Sequence, residues 1–227
     1  MAGDLNVYQP CPCGSGKKIK FCCQAILPDM ARVADLQETQ HFGQAIALLE
    51  KLDKKISPRE NWSRAWVKTA IAICKSGMGE TGAARDSVGE LLKDLPEHPL
   101  GLCLHAMFSL MVDGYPAAMR SVNRAFQYAL KTQPFPLAEI ARLVGNEMAA
   151  KGSFVGAGQF LGLATRLDSE NKRALEDFRE FLGDQFIPYP LRDSYVLQDL
   201  PPEHPLFPQF KQAKELAGQF RFSEAAK

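Results

Sequence analysis

From Met30 onward, apolar residues recur at three- and four-residue intervals in stretches of about twelve to sixteen residues, with few β-branched runs. This is the period at which an α-helix gathers its apolar side chains onto one face, so the pattern predicts helices along most of the chain. Turn-forming residues separate the stretches at Ser57-Pro58, Gly77-Met-Gly79, Pro96-Glu-His-Pro99, Gly114-Tyr-Pro116, Gln133-Pro134 and Lys151-Gly152. A proline inside a helix removes a hydrogen bond and clashes with the preceding turn, so these marks rule out one long helix. The expected fold class is all-α, built from short helices joined by turns.

The marks recur with a period. Aligning the second helix of each pair sets Phe42-Gly-Gln-Ala45 over Thr81-Gly-Ala-Ala84, Tyr115-Pro-Ala-Ala118 and Phe154-Val-Gly-Ala157, with the alanines 39, 34 and 39 residues apart. A ring three residues before a small residue fills the space between the helices of a hairpin while letting their backbones approach. The last unit, with Gly145, Gly152, Phe154, Ala157 and Ala164, resembles a tetratricopeptide (TPR) repeat, whose period is about 34 residues. Earlier units depart from it: Thr81 stands in place of the ring, and Asp113 stands where a turn glycine is expected. The resemblance implies a TPR-like helix-pair solenoid over residues 30–183, stacked with a right-handed sense.

A second repetition lies further on. Asp94-Leu-Pro-Glu-His-Pro-Leu100 returns as Asp199-Leu-Pro-Pro-Glu-His-Pro-Leu206, followed by Phe222-Ser-Glu-Ala225. Residues 206–227 therefore read as the start of a further helical repeat whose second helix is only beginning at Lys227. This is the expectation for a truncated chain whose parent carries more repeats or a functional domain; for a chain ending there, one capping helix is expected instead. Between these segments, residues 184–205 form a proline-rich insertion, with Phe186, Tyr189 and Tyr195 expected as apolar anchors against the helices.

Composition narrows the function classes. With 227 residues, 46% hydrophobic and 23% charged, the chain has an ordinary globular balance. A formal net charge of +1 argues against a general polyanion binder, since phosphate-driven affinity needs a clear excess of Lys and Arg. No apolar run approaches the roughly 20 residues that span a bilayer, and the start Met1-Ala-Gly-Asp lacks a basic, then hydrophobic, leader. A cytoplasmic location is expected. Cys74 and Cys103 lie alone in apolar helical stretches, where a free cysteine usually serves as a small core residue.

The remaining four cysteines change the picture. Cys11-Pro-Cys13-Gly-Ser-Gly-Lys-Lys-Ile-Lys-Phe-Cys22-Cys23 holds two tight pairs bridged by a glycine-bearing turn. Such spacing supplies the four thiolates of a tetrahedral Zn2+ site, with Cys11, Cys13, Cys22 and Cys23 as ligands. Gly14 and Gly16 permit the positive φ angles of a knuckle that folds over the ion. Lys17, Lys18 and Lys20 would partly offset the net negative charge of a four-thiolate, divalent-metal centre. Disulfides fit poorly, because Cys11 and Cys13 are too close for an easy bridge and a vicinal Cys22–Cys23 bond is strained. A redox switch that expels the ion on oxidation is a minor alternative.

These residues resemble the SEC-C motif at the carboxyl end of the SecA translocation ATPase. The resemblance covers about residues 8–25: Cys-Pro-Cys-Gly-Ser-Gly-Lys-Lys, eight residues between the second and third ligands, then two adjacent ligands. The family often places His at the last position; Cys23 makes this an all-sulfur site. The resemblance implies a zinc-binding recognition knuckle over residues 1–27, used in SecA to contact a chaperone and the ribosome. It brings no ATPase, because the chain has no Gly-x-x-x-x-Gly-Lys-Ser/Thr loop.

Among His41, His98, His105 and His204 none has an evident acid or nucleophile partner, and nucleophile-elbow, metalloprotease and dinucleotide motifs are absent. An enzyme is not expected within these residues. For binding, the helix-pair register puts Glu139, Arg142 and Asn146 on the groove face of the stack, with Trp66, Thr69, Ile73, Leu100, Cys103 and Met107 at equivalent places. Such a groove suits an extended or helical peptide. The functional expectation is a zinc-binding protein-interaction adaptor that presents Lys17, Lys18, Lys20 and Phe21 to a chaperone, ribosomal or secretion component. The alternatives are a nucleic-acid-binding zinc knuckle, with those lysines on phosphates and Phe21 stacked on a base, and the accessory region of a longer enzyme.

Overall fold

The computed structural model describes residues 6–57, 59–184, 186–187, 200–219 and 222–225. The fold is all-α with a cysteine cluster near the amino terminus, and no strand occurs among the described residues apart from an isolated Pro10–Lys18 bridge. The helices are α1 (Leu27–Glu38), α2 (Phe42–Lys55), α3 (Asn61–Gly77), α4 (Thr81–Asp94), α5 (Pro99–Asp113), α6 (Met119–Ala129), α7 (Pro134–Ala150), α8 (Phe154–Leu167), α9 (Lys172–Gly183), α10 (Phe207–Gly218) and α11 (Phe222–Ala225). Within two compact units, Met1–Val112 and Asp113–Lys227, consecutive helices pack in the manner of a helical-repeat solenoid: α1 on α2, α2 on α3 and α3 on α4 in the first, and α6 on α7, α7 on α8 and α8 on α9 in the second.

The hairpin turns share one construction. A residue in the left-handed region ends the first helix: Gln40 (φ 58), Gly79 (φ 85) and Gly152 (φ 78). The next amide reaches back five residues, from His41 to Leu36 O (2.8 Å), Glu80 to Lys75 O (2.9 Å) and Ser153 to Met148 O (2.9 Å). These Schellman turns satisfy carbonyls that the helix end would leave bare. Ala45, Ala84 and Ala157 sit five positions after the turn residue, each fully buried. Between α5 and α6 the turn falls at Gly114 (φ 70), one residue beyond Asp113, and Ala118 follows four positions later.

Close backbone approach explains two further glycines. A Cβ on Gly77 would lie 2.6 Å from Phe42 Cζ, so the ring at the start of α2 occupies the space over the end of α3. A Cβ on Gly145 would lie 2.7 Å from Leu161 Cγ and 3.1 Å from its backbone nitrogen, which is how α7 and α8 come together.

In the first unit, Leu49, Leu52, Val33, Met30, Trp66, Val67 and Cys74 from α1–α3 form one core cluster with Cys11, Cys13, Ile19, Cys23 and Ile26. The cysteine segment is therefore packed against the helices. Cys103 is also fully buried, and the Gln37 amide donates to Cys74 Sγ (3.2 Å).

In the second unit, α9 starts at Asn171, whose side chain accepts from the Ala174 amide, and packs on α7 and α8. Beyond it the apolar anchor is not Phe186, which is 85% exposed, but Ile187, which is buried. The reason is local: the Asp184 carboxylate accepts from the Phe186 amide (2.8 Å) and the Asp184 carbonyl from the Ile187 amide (3.2 Å), a turn that aims one of two consecutive side chains inward. Tyr189 and Tyr195 lie outside the described residues.

Candidate metal centre

Two short arms carry the cysteines. Cys11 N–H donates to Lys17 O (2.7 Å), Ile19 N–H to Gln9 O (3.1 Å) and Lys20 N–H to Val7 O (2.9 Å), a small antiparallel ladder that clamps the arms together. The turn between them uses Gly14 (φ 83) and Gly16 (φ 73), both in the left-handed region that glycine enters without a Cβ clash. The 3-10 turns Ile19–Phe21 and Gln24–Ile26 then bring Cys22 and Cys23 back under the first pair.

The result is a convergent site. The four Sγ atoms all lie within 4.8 Å of one another, with Cys13–Cys22 at 3.4 Å and Cys22–Cys23 at 3.7 Å. Sulfurs at about 2.3 Å from a tetrahedral ion stand about 3.8 Å apart, so the spread brackets what one ion requires. Cys11, Cys13, Cys22 and Cys23 are positioned to hold a metal ion.

Electrostatics within the cluster show how thiols behave when crowded together. A hydrogen bond from the Cys23 thiol holds Cys13 down to about 4, against the opposing effect of burial and with help from Ser15. The same bond, together with burial, pushes Cys23 far above its ordinary value. Burial pushes Cys11 up to about 12. The surroundings thus favour the charged form of Cys13 and the protonated forms of Cys11 and Cys23, a preference that a bound cation would reverse at the last two.

Groups from distant parts of the first unit surround the sulfurs. Ser15 Oγ lies 3.2 Å from both Cys13 and Cys22 Sγ. Ser63, the third residue of α3, is buried with its hydroxyl 3.4 Å from Cys23 Sγ. His98, 1% exposed, accepts the Gly101 amide at Nδ1 (2.9 Å) and so carries its proton on Nε2, which donates to the Cys13 carbonyl (2.7 Å). Burial pushes the pKa of His98 below the ordinary histidine value, and the Cys13 carbonyl partly offsets that. The indole of Trp62 lies 5.7 Å from the imidazole. None of Ser63, Trp62 and His98 stands out in the sequence; the repeated His-Pro before a helix marks a helix start, and nothing in it points to a cysteine 85 residues away.

The outer face of the knuckle is different in character. Lys17, Lys18 and Lys20 are exposed, and so are Phe21 (69%) and Tyr8 (59%). Lys20 Nζ lies 5.3 Å from the Tyr8 ring centre and 5.7 Å from that of Phe21, within cation–π range of both. Nothing local in the sequence marks Tyr8, because it is the fold that sets its ring beside Lys20, twelve residues on.

Glu139, Arg142 and Asn146 are brought together on α7, but with a fourth partner. Arg142 grips Glu139 through Nη2 (2.6 Å) and Nε (2.9 Å) and reaches Asp177 of α9 through Nη1 (2.7 Å), while the Asn146 amide donates to the same Asp177 oxygen. These carboxylates, Glu139 foremost, hold the guanidinium more firmly protonated than usual. At the equivalent places Trp66, Thr69 and Cys103 are buried, Leu100 and Met107 half-buried, and Ile73 exposed.

No family model, curated protein or solved structure matches the chain. Among the described residues, no helix is long and apolar enough to cross a membrane.

Proposed function

We propose that the amino-terminal segment is a SEC-C-like zinc knuckle and that the chain is a non-enzymatic protein-interaction adaptor. Zn2+ is the ion that an all-thiolate, four-ligand, single-ion site favours, and with no open coordination position its role is to hold the segment folded. The observation that carries the adaptor reading is the two-sidedness of the knuckle. Its cysteines and Ile19 face the helices, while Lys17, Lys18, Lys20 and Phe21, joined by Tyr8, face outward. An exposed phenylalanine and tyrosine flanking a lysine form a small apolar patch with a cationic centre, the composition that anchors protein interfaces. The groove residues favour the same side of the choice, since Glu139, Arg142 and Asn146 spend their polar atoms on one another and on Asp177.

By the SEC-C resemblance, the partner class is a chaperone, ribosomal or secretion component. The test is co-sedimentation of the zinc-loaded chain with ribosomes and affinity capture of chaperones, for the wild type and for Lys20→Glu and Phe21→Ala. The expected result is a partner held by the wild type and lost by both variants at unchanged zinc content. Equal capture by all three overturns the reading, and a steep loss of RNA-dependent binding with salt transfers the patch to the nucleic-acid alternative.

A further inference from the structure

The knuckle motif supplies four sulfurs, yet its inner wall is made by residues far outside the motif. Cys13 and Cys23 are 0% and 1% exposed. Four thiolates around a divalent ion are a net negative charge, and burying such a charge is costly unless hydrogen-bond donors meet it. Ser63 places a hydroxyl against the Cys23 sulfur at 3.4 Å, and a thiolate ligand has no proton, so in the loaded site Ser63 is the donor. As the third residue of α3, Ser63 also brings the positive end of that helix dipole toward the sulfurs.

His98 acts on the first arm. Its two nitrogens are both engaged, one receiving the Gly101 amide at the start of α5 and the other donating to the Cys13 carbonyl. A Cβ on Gly14 would lie 3.2 Å from His98 Nε2, so the turn after Cys13 rests directly on the imidazole. Fixing that carbonyl and that turn fixes the direction of the Cys13 side chain. His204, in the second copy of the repeated turn, shows what the same residue does without a knuckle: it is half-exposed, and its Nδ1 accepts the Leu206 amide (3.2 Å).

We propose that Ser63 and His98 are positioning residues of the metal site, so that its affinity is set jointly by the cysteine motif and by the starts of α3 and α5. The proposal rests on the zinc-knuckle reading and goes beyond it: a motif read by itself predicts an affinity that depends on residues 8–25 alone.

The experiment uses the full chain and measures Zn2+ affinity by competition with a chelating dye, together with the Co2+ absorption spectrum, which reports the ligand field at sulfur. Outer-shell substitutions typically weaken metal binding by about 10- to 100-fold. Ser63→Ala is expected to weaken Zn2+ binding about tenfold and to shift the Co2+–thiolate bands, and Ser63→Thr, which keeps the hydroxyl, is expected to restore both. His98→Asn keeps an acceptor for the Gly101 amide but is too short to reach Cys13, and is expected to weaken binding by a similar factor. Val88→Ala is the control, because Val88 belongs to a separate core cluster with Ala72, Ala84, Leu104 and Phe108. It is expected to lower stability with the metal affinity unchanged. If wild type binds neither Zn2+ nor Co2+, the knuckle reading and this proposal fall together. If wild type binds and Ser63→Ala and His98→Asn match it, or if Val88→Ala weakens binding as much, the positioning role alone is overturned.

Discussion

The charged form is penalised at Cys23 by the bond to Cys13 and by burial, and at Cys11 by burial, so both pKa values are raised above the ordinary cysteine value. A thiolate, and not a thiol, ligates metal. Loading at neutral pH therefore displaces protons from at least these two residues, and the sign follows: raising the pH strengthens metal binding and acidification releases the ion. Calorimetric titration of Zn2+ in buffers of different ionisation enthalpy should show a buffer-dependent heat that corresponds to more than one proton released per ion. A buffer-independent heat would mean that the sulfurs are already deprotonated. His98 adds a pH dependence of its own. Its pKa lies below the ordinary value of 6.5, so its contribution to stability is complete above that pH and is lost as the pH falls below it.

The helix pairs were legible in the sequence because their signals are local. The alanines at 45, 84, 118 and 157 and the turn residues just before them lie within a few positions of one another, and the structure buries all four alanines. What was not legible depends on partners distant in sequence. Asp177 turns Arg142 and Asn146 from groove lining into a tie between α7 and α9, and no spacing rule links residues 31 to 35 positions apart in different helices. Phe186 and Ile187 are equally apolar, and only the Asp184 turn decides which faces inward. Gly77 gives the element scale its test. With Phe42 Cζ 2.6 Å from the position of a Cβ, Gly77→Ala must push the ring aside, and overpacking of this kind costs about 1–3 kcal/mol. Gly43→Ala, with open space around the new methyl, is the comparison expected to show no such loss in denaturant unfolding.

At the scale of the molecule, the candidate metal site and the first helices are built on one core, since the cysteines, Ile19 and Ile26 share a cluster with α1–α3. Binding that favours the folded state adds about 2.7 kcal/mol when free ligand is 100-fold above its dissociation constant. Chelation, or Cys22→Ser with Cys23→Ser, is therefore expected to lower the unfolding midpoint and to speed amide hydrogen exchange in α1–α3 as well as in residues 6–26. Exchange that accelerates in residues 6–26 alone would separate the site from the helices.

The buried side of the cysteine loop also limits where that loop could live. Short metal-binding segments are often treated as transplantable tags, carried from one host to another by their sequence alone. This one would travel badly: cut out as residues 6–26, it would turn Ile19 and the inner sulfurs toward water and leave behind the Ser63 hydroxyl and the His98 imidazole. A recipient protein would have to offer an apolar seat, a helix start carrying a hydroxyl and a second carrying an imidazole.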